Sequence, residues 1–144
     1  MNIDKIIEKF GLYFSEIGLN KTYGRLFGCF MTASNPVSMR ELVDRLQISK
    51  STASTELRRL LAMGVIEKVL LPDERADYYQ LKKNIWSENL KQKIQDIKKL
   101  RTIIEDVPQR KLRKLVHLNE MAKYCIFLES ELENLIKKYT KGQK

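Results

Sequence analysis

Apolar residues recur along this chain mostly at helical spacing. Ile3, Ile6, Ile7, Phe10 and Phe14 form one stripe of an opening helix that the pattern ends near Gly18. A second helix is predicted from about Lys21 to Ala33, with Tyr23, Leu26, Phe27, Phe30 and Met31 on its apolar face and Asn35 and Pro36 stopping it. Gly24 and Gly28 leave a flat spot on it, where another backbone can approach closely. Ser38, with Glu41 three residues on, reads as a capping box for a short helix from Met39 to Leu46. Gln47 and Ile48 make a turn with Ile48 pointing inward. Ser49 caps a further helix of about Lys50 to Met63, ended by Gly64.

From Val65 the period shortens to that of strands. Val65, Ile66, Val69, Leu70 and Leu71 form one arm of a hairpin, and Tyr78, Tyr79 and Leu81 the other, with residues 72–77 as the turn. Beyond Asn84, Leu90, Ile94, Ile97, Leu100, Ile104 and Val107 make a stripe on a lysine-rich helix that breaks before Pro108. The last helix carries a heptad seam: Leu118, Cys125, Leu132 and Tyr139, with Met121, Leu128 and Leu135 three positions later. Its partner is either the first helix of the same chain or a second subunit. The fold class expected is mainly α with a small β-hairpin, a winged helix-turn-helix core flanked by N- and C-terminal dimerisation helices. Residues 1–144 would form one domain, with 20–83 as the DNA-binding core and 1–18 and 84–144 as the helical dimerisation and support region.

The second helix of the helix-turn-helix divides around its axis. Ala53, Leu57, Leu60 and Leu61 lie on the core side; Ser51, Ser54, Thr55 and Arg58 lie on another, with Glu56 near the edge. Hydroxyls can donate to phosphates or base edges without bulk, a helix N-terminus offers free N–H groups, and arginine can grip guanine with two bonds. The alternative is an ordinary solvated face. Arg75 at the hairpin tip can enter a minor groove, with Asp73 orienting it or shaping the turn, or it is a solvated loop arginine. The candidate DNA-binding set is Ser38, Arg40, Ser49, Lys50, Ser51, Thr52, Ser54, Thr55, Arg58, Arg59, Lys68 and Arg75. The candidate dimer interface is Ile3, Ile7, Phe10, Leu118, Met121, Cys125, Leu128, Leu132, Leu135 and Tyr139.

Charge agrees with a polyanionic partner: 27 Lys plus Arg against 18 Asp plus Glu leave +9. Uncharged stretches are shorter than the roughly 20 residues a membrane helix needs. The opening MNIDKIIEKF lacks the apolar run of a secretory signal, so a cytoplasmic protein without membrane contact is expected. Cys29 and Cys125 are far apart and read as buried free thiols. His117 is the only histidine and reads as structural or surface, so no metal, no cofactor and no catalytic residue is expected. With no P-loop, GxSxG or HExxH, the chain does not read as an enzyme. Trp86 with Tyr78 and Tyr79 could cage a quaternary ammonium, although packing is the commoner role of such aromatics. The basic run Arg110, Lys111, Arg113 and Lys114 reads as a solvated face that could brush flanking phosphates.

Residues 18–80 resemble the MarR superfamily of winged-helix regulators, and within it the GbsR branch. The resemblance is carried by Gly18, Thr22-Tyr23-Gly24-Arg25, Gly28, the helix start Ser49 to Ser54, and Asp73-Glu74-Arg75 followed by Tyr78-Tyr79. It implies a homodimeric transcriptional regulator, usually a repressor, on a roughly palindromic duplex operator, with the recognition helices in successive major grooves and the wing arginine in the minor groove. It carries over no effector. The competing reading is a winged-helix module that contacts another regulator or a transcription component; apolar residues where Ser51, Ser54 and Thr55 stand would mark it. Double-stranded RNA is a weaker rival, because its major groove is deep and narrow.

Overall fold

The structure is a computed structural model and describes residues 2–72 and 74–143. The chain forms two compact units, residues 1–83 and 84–144.

The first unit opens with α1 (Ile3–Glu16) and α2 (Lys21–Thr32), capped by the Asn2 and Asn20 side chains. They pack closely because α2 has no side chain where α1 crosses it. A Cβ at Gly24 would lie 2.6 Å from the Phe10 carbonyl oxygen, and one at Gly28 would lie 3.0 Å from the Ile7 Cα. The predicted flat spot is thus filled by α1, and the opening helix, expected with the flanking support region, joins the first unit. Phe10, Phe14, Tyr23 and Phe27 stack edge to face along the seam, with ring centroids 5.3 to 5.6 Å apart in the contacts that join the two helices. Ion pairs add polar ties: Glu8 to Arg25 at 2.7 Å and to Lys21 at 3.9 Å across the two helices, and Asp4 to Arg45, further along the chain, at 3.2 Å.

Next come β1 (Val37–Ser38), α3 (Met39–Leu46) and α4 (Lys50–Ala62), then β2 (Ile66–Val69) and β3 (Tyr78–Leu81). The sheet is antiparallel in the order β1-β3-β2, with Ser38 opposite Tyr78 and Lys68 opposite Tyr79. The hairpin is therefore a three-stranded sheet. β1 escaped the periodicity because two residues cannot display a period. β2 ends at Val69 and leaves Leu70 exposed, which shortens the predicted first arm. Leu26, Phe30, Leu42, Leu46, Ala53, Leu57, Leu60, Ile66 and Tyr79 form the buried interior of this unit.

The second unit holds α5 (Ile85–Thr102), α6 (Gln109–Leu112) and α7 (Val116–Gly142). α5 stops five residues short of the predicted end at Val107. Beyond it, Ile104 N–H bonds to Arg101 and Val107 N–H to Ile104, tighter turns three residues apart. They turn Ile104 and Val107 onto Leu112, Leu118, Met121 and Ala122, an apolar cluster that closes this end of the unit. α5 packs along α7. The heptad seam on α7 thus has a neighbour in its own unit that the sequence had not put forward.

Candidate nucleic-acid interface

Helix α4 is held at both ends by local chemistry. Ser49 is extended, and its Oγ accepts the Thr52 N–H at 3.0 Å while donating to the Thr52 hydroxyl at 2.8 Å. This satisfies one of the N–H groups that a helix start leaves without partners. At the other end Gly64 takes φ +72°, a left-handed turn that costs glycine nothing. The α3–α4 turn is set by Gln47, also left-handed at φ +53°, whose side chain donates to the Asp44 carbonyl at 2.6 Å.

Ala53, Leu57 and Leu60 are buried to 2% exposure or less, which fixes the rotation of α4 about its axis. Successive helical residues turn by about 100°. The opposite side therefore carries Ser51 and Arg58, both exposed, and the half-buried Thr55, with the half-buried Ser54 at its margin. The Thr55 hydroxyl donates back to the Ser51 carbonyl at 3.0 Å, which aims its lone pairs outward. Lys50 is exposed in the first turn. Among the described residues neither Lys50 nor Arg58 forms an ion pair within 4.0 Å.

The remaining candidates fall around this face. Arg40 is exposed and, with Lys50, Val43, Asp77 and Tyr79, lines a groove of ≈ 360 Å³. Lys68 pairs with Asp77 across the base of the wing at 3.4 Å, and Arg75 is exposed between β2 and β3. Asp73, expected to orient it, lies outside the described residues. Ser38 differs from the others: it is buried, and its Oγ accepts the Glu41 N–H at 3.2 Å as the cap of α3.

Glu56, expected near the exposed edge of α4, is 4% exposed. Its Oε1 lies 3.5 Å from Arg59 Nη1, and its Oε2 meets no donor among the described residues. Burial, and secondarily the charge of Glu56, push the Tyr23 phenol above its ordinary value. Periodicity could not place this carboxylate inside, because glutamate on a helix is normally solvated. The one sequence signal was its position between Ala53 and Leu60, seven apart on the core side.

The dimer candidates divide by exposure. Ile7, Cys125 and Leu132 are buried, Phe10 packs on Phe27, and Leu118, Met121, Leu128 and Tyr139 are half-buried. Ile3 and Leu135 are exposed. Other apolar side chains, not singled out by the sequence, are exposed as well: Leu12 and Tyr13 on α1, Ile17 at its C-cap, and Tyr124, Ile126 and Phe127 on α7. Cys29 is buried, and burial lifts its thiol to about 11 against the opposing pull of Arg45 and Arg25. His117 is exposed, Tyr79 is buried within the sheet, and Trp86 is half-exposed. Among the described residues no helix is long and apolar enough to cross a membrane.

Residues 30–76 match the model of the MarR family. The chain is 24% identical over 147 residues to the HTH-type transcriptional regulator MmpR5 of Mycobacterium tuberculosis (strain ATCC 25618 / H37Rv), covering 96% of this chain and 87% of that protein. It is 26% identical over 83 residues to the putative HTH-type transcriptional regulator YvaV of Bacillus subtilis (strain 168), covering 58% of this chain and 47% of that protein. A crystal structure described as a transcriptional regulator superposes with a TM-score of 0.78 at 24% identity, covering 96% of this chain and 98% of that one.

Proposed function

We propose that this chain is a DNA-binding winged-helix transcriptional regulator of the MarR family, whose model residues 30–76 match, and that it acts as a homodimeric repressor on a roughly palindromic operator. α4 enters the major groove with Ser51, Ser54, Thr55 and Arg58 toward the bases, Lys50 and Thr52 toward phosphates, Arg59 at the edge of the base-facing side, and Arg75 in the adjacent minor groove. The observation that carries this reading is the rotation of α4. Three buried apolar residues hold one side of the helix in the core, so the hydroxyl-basic side faces out beside the wing. Ser38 is left out of the contact set because its hydroxyl caps α3.

A half-site is all that one wing and one helix cover. Two copies about 34 Å apart would contact adjacent turns and gain affinity through the second, intramolecular contact. Each unit by itself offers exposed apolar side chains to a second copy, Ile3 among those of α1 and Leu135 among those of α7, whereas Ile7, Cys125 and Leu132 are already covered. The motifs quoted for the GbsR branch support placing the chain there. A protein-interaction module would use the same faces, and the polar character of Ser51, Ser54 and Thr55 favours DNA over it.

Fluorescence anisotropy with the duplex upstream of the protein's own gene and with a scrambled duplex, at two salt concentrations, tests this reading. Tight, salt-sensitive binding with preference for the native duplex is expected. Equal, weak binding to both would overturn it.

A further inference from the structure

Glu56 is a charged residue on the core-side flank of a helix whose other face would meet a polyanion. In such a place alanine or leucine would pack at no electrostatic cost, and a carboxylate would repel DNA. Removing a carboxylate from water is expensive unless a counter-charge compensates it. Here the compensation comes from one side: Arg59 Nη1 at 3.5 Å, with Oε2 left without a donor among the described residues. Around α4, Glu56 sits about 60° from Ala53 and Arg59 about 60° further out, beside Thr52 and Thr55 on the edge of the exposed face. Arg59 is itself 60% exposed. The pair thus spans from the core to the face assigned to DNA within one turn.

We propose that Glu56 is a positioning residue that holds the Arg59 guanidinium in one orientation at the edge of the recognition face, raising sequence discrimination at the expense of general affinity for DNA. The inference rests on the DNA-binding reading above. A guanidinium is a planar fork of five donors, so an ion pair at one nitrogen, 3.5 Å from the carboxylate, biases the direction of the side chain and leaves the outer donors for one base edge. An untethered arginine would sweep over neighbouring phosphates and bind any sequence. The carboxylate also offsets part of the attraction of Arg59 for phosphate, which weakens binding to unrelated duplexes most. Specificity is a difference of affinities, and this pair acts on both sides of it.

The test compares wild type, Glu56→Gln and Arg59→Lys by anisotropy on the native and scrambled duplexes over a salt series, with thermal unfolding to verify folding. Glu56→Gln keeps the shape and removes the charge. It is expected to bind the scrambled duplex about fivefold tighter and to lower the native-to-scrambled ratio by about five- to tenfold, with a steeper salt dependence. Arg59→Lys keeps the charge and removes the fork, so it is expected to lower the ratio while leaving scrambled binding near wild type. This second variant decides the matter if Glu56→Gln fails to fold. A wild-type ratio in the variants would overturn the inference and leave the DNA reading intact, because a packing role alone would move stability and not discrimination. A wild type without preference would overturn the DNA reading, and this inference with it.

Discussion

Gly24 lies so close to α1 that a Cβ there would sit 2.6 Å from the carbonyl oxygen of Phe10 and 2.9 Å from the Gly11 Cα. Both neighbours are backbone, so neither can swing aside. Gly24→Ala should push α1 off α2 and destabilise the first unit by about 1–3 kcal/mol. Gly142→Ala, where no atom lies within 4 Å, should leave the melting temperature nearly unchanged. Thermal unfolding of both variants checks the contrast.

The recognition helix depends on its first turn. Ser49→Ala removes the acceptor of the Thr52 N–H and should cost about 1 kcal/mol in denaturant unfolding. Ser49→Asp should recover most of that stability, since a carboxylate also caps and suits the positive end of the helix.

Arg58 and Arg75 should fail in different ways. Arg58→Ala is expected to lose about 1–3 kcal/mol on the native duplex and much less on a scrambled one. Arg75→Ala should weaken both duplexes, and loss of one cation from the minor groove would lower the slope of log K against log salt by about 0.9. Anisotropy titrations over a salt series separate the two patterns. Wild-type behaviour in both variants would remove α4 and the wing from the interface.

High pH should loosen the first unit. The folded protein holds the Cys29 proton up to about 11, against an ordinary value of 9.0, and burial likewise raises Tyr23. Between those values the unfolded chain binds fewer protons than the folded one, so stability should fall as pH rises from 9 toward 11. Below 9 this contribution is fully present. Urea unfolding from pH 8 to 11 under reducing conditions should show the decline, and Cys29→Ala should flatten part of it.

The second unit offers a comparison of two ion pairs. Arg101 binds Glu129 at 3.1 Å, where the carboxylate side chain is 12% exposed, while Lys91 and Glu88 meet in solvent. Arg101→Ala strands a buried carboxylate and should cost about 1–3 kcal/mol. Lys91→Ala should stay within about 0.5 kcal/mol. Both values come from denaturant unfolding.

The helix-turn-helix was legible because its signals are local. Ser38 and Ser49 as caps, Gly64 as a stop, and the spacing of Ala53, Leu57 and Leu60 each act within one or two turns. The flat spot at Gly24 and Gly28 was legible for the same reason. What covers it was not, because that depends on α1 folding back. β1 has two residues and gains its hydrogen bonds only from β3, far along the chain. Glu56 is buried by tertiary packing against the usual preference of its side chain, and α5 ends early because tight turns bring Ile104 onto Leu112 and Ala122. The apolar stripe of α5 continued in register past the true end of the helix, so periodicity alone could not mark the stop. At the interface, the residue types on α4 were readable from periodicity. The burial of Ser38 beneath its cap and the Glu56–Arg59 ion pair depend on the tertiary fold and were not readable in that way.

Hydroxyl-radical footprinting of the protein on its own upstream duplex tests the central claim most directly. Two discrete protected patches, related by an approximate dyad and about one helical turn apart, are expected from paired recognition helices. Uniform protection, or none at concentrations that saturate anisotropy, would contradict sequence-specific recognition by a symmetric dimer.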